Sequence, residues 1–176
     1  MTLPTLTTER LVLRERSIDD IPAYLQMDSD PLVMRYVGDG TVPDPAEHAE
    51  RMKQRIAAGS DDGIGVWSVF EREGAGDFFG CVMLSPVTGL QRIELAYRYC
   101  QKAWGRGIAA EAGAPCLDYG FGTLRLEEIV ALAYRENLRS QRVITKLGFA
   151  PAGNFLADGI DLLLYRLERG AHQAQR

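Results

Sequence analysis

The stretch from Arg92 to Ala112 constrains what this chain can fold into more than any other. Arg92-Ile93-Glu94-Leu95-Ala96-Tyr97-Arg98-Tyr99-Cys100 reads as a strand. A loop with Gly105 and Gly107 follows, and from there Ile108, Ala112, Cys116 and Tyr119 recur at helical spacing. The first N–H groups of a helix have no partner within it, and its dipole favours negative charge beside them. Gly105 and Gly107 let backbone approach closely, Ala109 and Ala110 keep the first turn narrow, and Arg106 can add charge. Gly105-Arg106-Gly107-Ile108-Ala109-Ala110 therefore has the make-up of a pyrophosphate seat.

Two other readings compete. Glycines before a helix are often only a turn. The same six residues also satisfy the dinucleotide-binding pattern with Ala in the last place, and Glu127 lies about 20 residues on, where a ribose ligand is sought. Against the dinucleotide reading, its strand should be a buried apolar run reaching the first glycine. Here the strand carries Glu94 and Arg98 and ends several residues early. The part of the chain beyond Gly107 is also too short for a doubly wound sheet. The turn suits a phosphate better than NAD.

The remaining pattern frames this segment. Leu6 to Arg14 alternates and reads as a first strand, with Leu11 and Leu13 on one face. Ser17 starts a helix with Asp19 and Asp20 in its first turn, and a second helix spans Asp44 to Ala58, between Pro45 and Gly59. The intervening Asp30 to Pro43 is rich in turn formers. Gly65 to Glu71 and Phe78 to Leu84 form a hairpin, Glu127 to Tyr134 and Ile160 to Leu167 are later strands, and Leu138 to Leu147 is a short helix stopped by Gly148. Pro115 should kink the helix that starts near Ile108. Strands followed by a strand–helix–strand–helix–strand run indicate one α/β (α+β) domain over residues 1–168, with 169–176 as a flexible tail.

Bulk properties exclude several functions. A net charge of −4 over 176 residues carries no footprint of nucleic-acid binding. No apolar run approaches the roughly 18 residues that span a bilayer, so no membrane partner is expected. Three cysteines, Cys81, Cys100 and Cys116, without metal-ligand spacing and with only His48 and His172 beside them, predict no metal site and a cytoplasmic, reduced setting.

Here the residues resemble a known family. Glu94-Leu95-Ala96-Tyr97 ahead of Gly105-Arg106-Gly107-Ile108-Ala109-Ala110-Glu111-Ala112 is similar to the cofactor motif of the GNAT superfamily of N-acetyltransferases. Asn137-Leu138-Arg139-Ser140 and Val143-Ile144-Thr145-Lys146-Leu147-Gly148-Phe149 look like the matching segment of its RimJ/RimL-type branch, which includes ribosomal-protein N-terminal acetyltransferases. Glu9 to Arg14 looks like that branch's first strand. The resemblance covers Leu6 to Leu167. It implies a mixed, mostly antiparallel sheet with a splayed central parallel pair and helices on both faces, acetyl-CoA as co-substrate, and a primary amine of a peptide N-terminus or small molecule as acceptor. A homodimer is a family-level expectation.

By the same resemblance, backbone groups of Tyr97 and Tyr99 would hold the acetyl-pantetheine arm. Amides from Gly105 through Arg106, Gly107, Ile108, Ala109 and Ala110 would hold the pyrophosphate, Asn137 would bond pantetheine, and Ser140 would lie near the sulfur. Trp104 stands where the wider superfamily usually has Gln or Arg, and Ala96 replaces a usual Gly.

Acetyl transfer needs a neutral amine, a donor for the oxyanion, and an acid for the thiolate. Glu94 is the candidate base, because it sits on the strand that would carry the acetyl group and desolvation would raise its pKa. The alternatives are a solvated glutamate there, with Asp158, Asp161 or a water relay as base. Ser140 is the candidate acid, with Tyr134 as a second choice and a plain first-turn serine as the bland one. Asn137 is also a good N-cap. Trp67, Phe70, Phe78 and Phe79 read as core, Cys100 as a buried small residue, and His48 as solvated. Asp28, Asp30, Asp39, Asp44, Asp158 and Asp161 could draw a cationic acceptor or serve solubility alone. A non-catalytic CoA-binding sensor, or an enzyme using another acyl-CoA, would carry the same signature.

Overall fold

Alternation decides which face of each strand is buried, and here it builds one eight-stranded sheet. A computed structural model describes residues 2–59, 62–74 and 76–174. The strands are β1 (Leu6–Thr7), β2 (Leu11–Glu15), β3 (Gly65–Glu71), β4 (Phe78–Val87), β5 (Arg92–Tyr99), β6 (Glu128–Ala133), β7 (Ala150–Ala157) and β8 (Ile160–Glu168). Their spatial order is β1-β2-β3-β4-β5-β6-β8-β7, antiparallel throughout except for the central parallel pair β5–β6.

Helices cover both faces. Leu11, Leu13, Trp67, Val82, Leu84, Leu95 and Ile129 point to the face that carries α4 (Ile108–Gly122) and α5 (Leu138–Lys146). Helix α4 can lie close because Gly113 and Gly120 face the core, where an added Cβ would come within 2.8 Å of Leu147 and Ile129 side chains. The opposite face carries α1 (Ile21–Asp28), α2 (Pro31–Met34) and α3 (Pro45–Ala58), packed through Tyr24, Met27, Val33 and Met52 onto Cys81. Asp44 caps α3 by accepting from the amides of Ala46 and Glu47, as the Asp-Pro start predicts.

Several expectations need correction. The alternating run from Leu6 to Arg14 is two strands, because Thr8 turns the chain: its hydroxyl accepts from the Leu11 amide, and its own amide donates to the Leu11 carbonyl. Helix α4 keeps Pro115 in its interior and runs on to Gly122. Residues Arg169–Ala174 are not a loose tail but a short helix, α6, held by His172 Nε2 at 2.8 Å from Asp118 Oδ1 and by the His172 ring against Phe121. Strand β7 had no signal in the sequence: Ala150 to Asn154 are exposed, so no apolar alternation marks them. Glu127 and Tyr134 fall just outside β6, within the usual uncertainty of strand ends.

Candidate active site

The parallel pair parts almost as soon as it forms. Strand β5 is laddered to β4 over its whole length, from Arg92↔Val87 to Tyr99↔Gly80, but meets β6 at one position, Glu94↔Val130. Beyond Glu94 the two strands diverge. The Cys100 amide bonds the Phe79 carbonyl at 2.9 Å, so by antiparallel alternation the N–H and C=O groups of Leu95, Tyr97 and Tyr99 point away from β4, toward the gap. A cleft of about 1730 Å³ fills that gap and continues to the start of α4. Gly80 lets β4 and β5 run this close: a Cβ there would lie 2.2 Å from the Arg98 carbonyl oxygen.

At the far end of the gap lies the glycine turn. Gly105 and Gly107 both adopt positive φ, 72° and 78°, which L side chains rarely do, and Gly107 N-caps α4. Among the described residues, no backbone or side-chain acceptor takes the amides from Gly105 to Ala110. Their donors therefore fan outward from a dipole end, and they suit a diphosphate. The turn is held from behind. Glu111 accepts from the Thr8 hydroxyl at 2.6 Å and from Arg10 Nε at 2.7 Å, and Arg10 also donates to the Arg106 carbonyl at 3.0 Å. These bonds hold the Glu111 carboxyl below the usual range even though burial opposes them. The Arg106 guanidinium lies over the Phe79 ring at 4.9 Å.

Trp104 is explained by the same corner. Its indole N–H donates to the Tyr99 carbonyl at 2.8 Å, and the Arg139 guanidinium lies 5.2 Å from its ring. The Tyr99 carbonyl is thus already engaged, which leaves Tyr97 and the Tyr99 amide to offer backbone bonds along the opened edge.

Helix α5 closes the α4 side of the cleft. Asn137 caps it, its Oδ1 accepting from the Ser140 amide at 3.2 Å, so its side-chain NH₂ stays available to a ligand. Ser140 does not simply bond backbone. Its hydroxyl lies 2.9 Å from the Tyr97 phenol, which also donates to the Ser140 carbonyl at 3.1 Å. Burial pushes the phenol up to about 12, against the hydrogen bond from Ser140. The sequence did not signal this Tyr97–Ser140 pair, since 43 residues separate its members. Tyr134 also lines the cleft but is not part of this pair. Its hydroxyl donates to the Gly38 carbonyl, and its ring meets Tyr36 at 5.5 Å.

Glu94 sits where the strands part. It faces the cleft side that α1 and α3 cover, and the Leu132 amide on β6 bonds its carboxylate. Burial raises its pKa to about 7, and that single backbone bond only partly opposes the rise. Glu94 is partly buried rather than exposed. The rival carboxylates are exposed: Asp161 pairs with Arg135 at 2.9 Å, and Asp158 sits in a turn at φ 48°.

Two residues on the Glu94 face overturn the sequence reading. His48 is 15% exposed, not solvated, and its Nε2 lies 2.7 Å from Asp28 Oδ2. Asp28, 1% exposed, also takes Arg98 at 2.8 and 2.9 Å, which fastens α1 and α3 to β5. Cys100 is half-buried, and Phe70 and Phe78 are only partly buried, unlike Trp67 and Phe79.

Residues 10–150 match the family described as acetyltransferase (GNAT) domain. The chain is 30% identical over 151 residues to the uncharacterized N-acetyltransferase YoaA of Bacillus subtilis, with 85% of each chain covered. It is 26% identical to the spermidine N(1)-acetyltransferase of Escherichia coli, covering 82% of this chain and 75% of that one. The crystal structure of a GNAT-family acetyltransferase from Bacillus anthracis superposes with a TM-score of 0.81 at 24% identity, covering 95% and 99%. A sheet parted at its one parallel pair, with free amides at the end of the gap, is the frame of an acyl-CoA-dependent acyltransferase. The chain belongs to the GNAT acetyltransferase family.

Proposed function

We propose that this enzyme transfers the acetyl group of acetyl-CoA directly to a primary amine held on the Glu94 side of the cleft. The amides from Gly105 to Ala110 would take the pyrophosphate. The Tyr97 and Tyr99 edge and the Asn137 NH₂ would take the pantetheine arm, which lays the thioester beside Glu94. Glu94 removes a proton from the amine, and the nitrogen attacks the thioester carbonyl, forming the C–N bond as the C–S bond breaks. The departing thiolate takes its proton from the Tyr97–Ser140 hydroxyl pair. Attack on the thioester in a ternary complex needs no acyl-enzyme.

The observation that carries this reading is the Glu94 carboxyl, lodged at the strand parting and raised to about 7. A base poised near neutral pH is matched to an amine. An α-amine near pKa 8 is an easier acceptor than a lysine near 10.4. The Asn137–Ser140 and Val143–Phe149 segments support the RimJ/RimL-type branch, whose acceptors include such α-amines. Thiol release from acetyl-CoA, followed across peptide N-termini and small amines, tests the assignment. Binding of CoA with no turnover on any amine would make the protein a sensor instead.

A further inference from the structure

We propose that the acceptor carries an anionic carboxylate besides its amine, and that Arg16 seats it. The inference rests on the acetyltransferase reading above and narrows its substrate class. Arg16 follows β2, and its amide bonds the Val66 carbonyl at 3.0 Å. That bond puts it at the end of a cross-strand row through Val66, Met83 and Ala96, one step along β5 from Glu94. Three strand spacings of roughly 4.8 Å separate the Arg16 and Ala96 backbones, about 14 Å, and both side chains lie in the cleft between. A molecule of amino-acid or dipeptide size spans what remains.

Besides Glu94, the acids lining this space are the exposed Glu136 and Asp158. The Arg16 Nε is buried with no hydrogen-bond partner, and its guanidinium lies 5.7 Å from the Tyr24 ring. Nearby carboxylates are engaged elsewhere. Asp20 accepts from Arg14, the Ser17 amide and Ser68, and Asp28 accepts from Arg98 and His48. Arg35 and Arg55 line the same side of the cleft, and among the described residues no carboxylate forms an ion pair with Arg16, Arg35 or Arg55. Most of the aspartates that might have drawn a cation do other work: Asp30 caps α2 and bonds Gln101, Asp39 bonds Thr41, Asp44 caps α3 and Asp161 pairs with Arg135, which leaves the exposed Asp158 at the cleft. A partly buried guanidinium whose Nε has no acceptor is costly to leave unmatched, and a carboxylate offers the group two acceptors in a plane. A polyamine, the acceptor in the name of the Escherichia coli relative, would meet three cations instead.

The test is a panel of free amino acids, their carboxamides, their decarboxylated amines, dipeptides and spermidine, assayed with acetyl-CoA by thiol release. Each acid should exceed its own carboxamide in kcat/KM by about tenfold or more, with spermidine poorest. In Arg16→Gln the acid-to-amide ratio should fall to about threefold or less, and Arg16→Lys should restore part of it. Faster dipeptides would place the carboxylate at a peptide C-terminus, and faster amino acids would place it on a free metabolite. Calorimetry of N-acetyl amino acids and their amides against the CoA-bound protein gives a second readout without turnover. Preference for the acids there, with no turnover of any amine, would remove the acetyltransfer reading and keep the Arg16 seat. Equal handling of acids and amides, or good turnover of spermidine, would overturn the seat and leave the acetyltransfer standing.

Discussion

The two sides of the cleft are built from different materials. The side under α4 and α5 offers mostly main chain: the amides from Gly105 to Ala110 and the edge of β5 around Tyr97 and Tyr99. The side under α1 and α3 offers side chains, among them Arg16 just after β2 and Glu94 on β5, far apart in sequence. Main-chain recognition fits a cosubstrate whose phosphates and amide groups do not vary. Side-chain recognition lets the acceptor vary while the transfer chemistry stays.

The largest expected effect separates the two sides. Glu94→Gln should lower kcat/KM for the amine by about 10²- to 10⁴-fold while the affinity for CoA holds. In the parent, kcat/KM should rise with pH through about 7, and that limb should vanish in the variant. Stability should move the other way. The fold raises this carboxyl above its ordinary value of 4.5, so it binds the proton more tightly than the unfolded chain does. The penalty is absent below about pH 4.5, grows as pH rises toward 7 and is complete above it. Glu94→Gln should thus be more stable than the parent at pH 8, by at most about 3 kcal/mol, and equal to it near pH 4. An unchanged pH–rate profile would remove Glu94 from the reaction.

Next in size is the clasp beneath the acceptor side. Asp28→Ala leaves Arg98 and His48 facing each other without their carboxylate and should cost about 3–5 kcal/mol, read from urea unfolding. A loss under about 1 kcal/mol would mean that the clasp does not hold α1 and α3 to β5.

On the main-chain side, Gly107→Ala puts an L residue at φ 78°. It should cost about 1–2 kcal/mol of stability and raise the acetyl-CoA KM about tenfold, with the acceptor KM little changed. If the acetyl-CoA KM stays put, the amide fan is not the phosphate seat. Ser140→Ala should have the smallest effect, roughly three- to tenfold in kcat, because the Tyr97 phenol keeps its bond to the Ser140 carbonyl. Tyr97→Phe should then cost more than Ser140→Ala. The reverse order would make the serine the sole acid.

The sequence showed these sides unequally, for the same physical reason. The glycine turn is local: Gly105, Gly107, Ala109 and Ala110 are consecutive or nearly so, and positive φ and narrow packing select their types directly. The α3 cap at Asp44-Pro45 was equally plain. Glu94 could be placed on its strand, but its burial could not, since that depends on where β6 diverges. The Tyr97–Ser140 pair and the Asp28–Arg98–His48 clasp join residues tens of positions apart, and no single-chain periodicity encodes such meetings. Residues 169–174 looked like a tail because their helix is short and docks through Arg169 and His172 onto residues more than 40 positions away.

With a lone bridge at Glu94↔Val130, the proposed cosubstrate would act as a guest strand. The pantetheine arm, with amide groups spaced along it, can complete a ladder that β6 abandons, and so stitch the halves β1–β5 and β6–β8 together. Ligand saturation should therefore raise the melting temperature in proportion to the logarithm of its concentration. If that ladder forms, hydrogen exchange should slow most at the amides of Tyr97 and Tyr99, which β6 leaves unpaired.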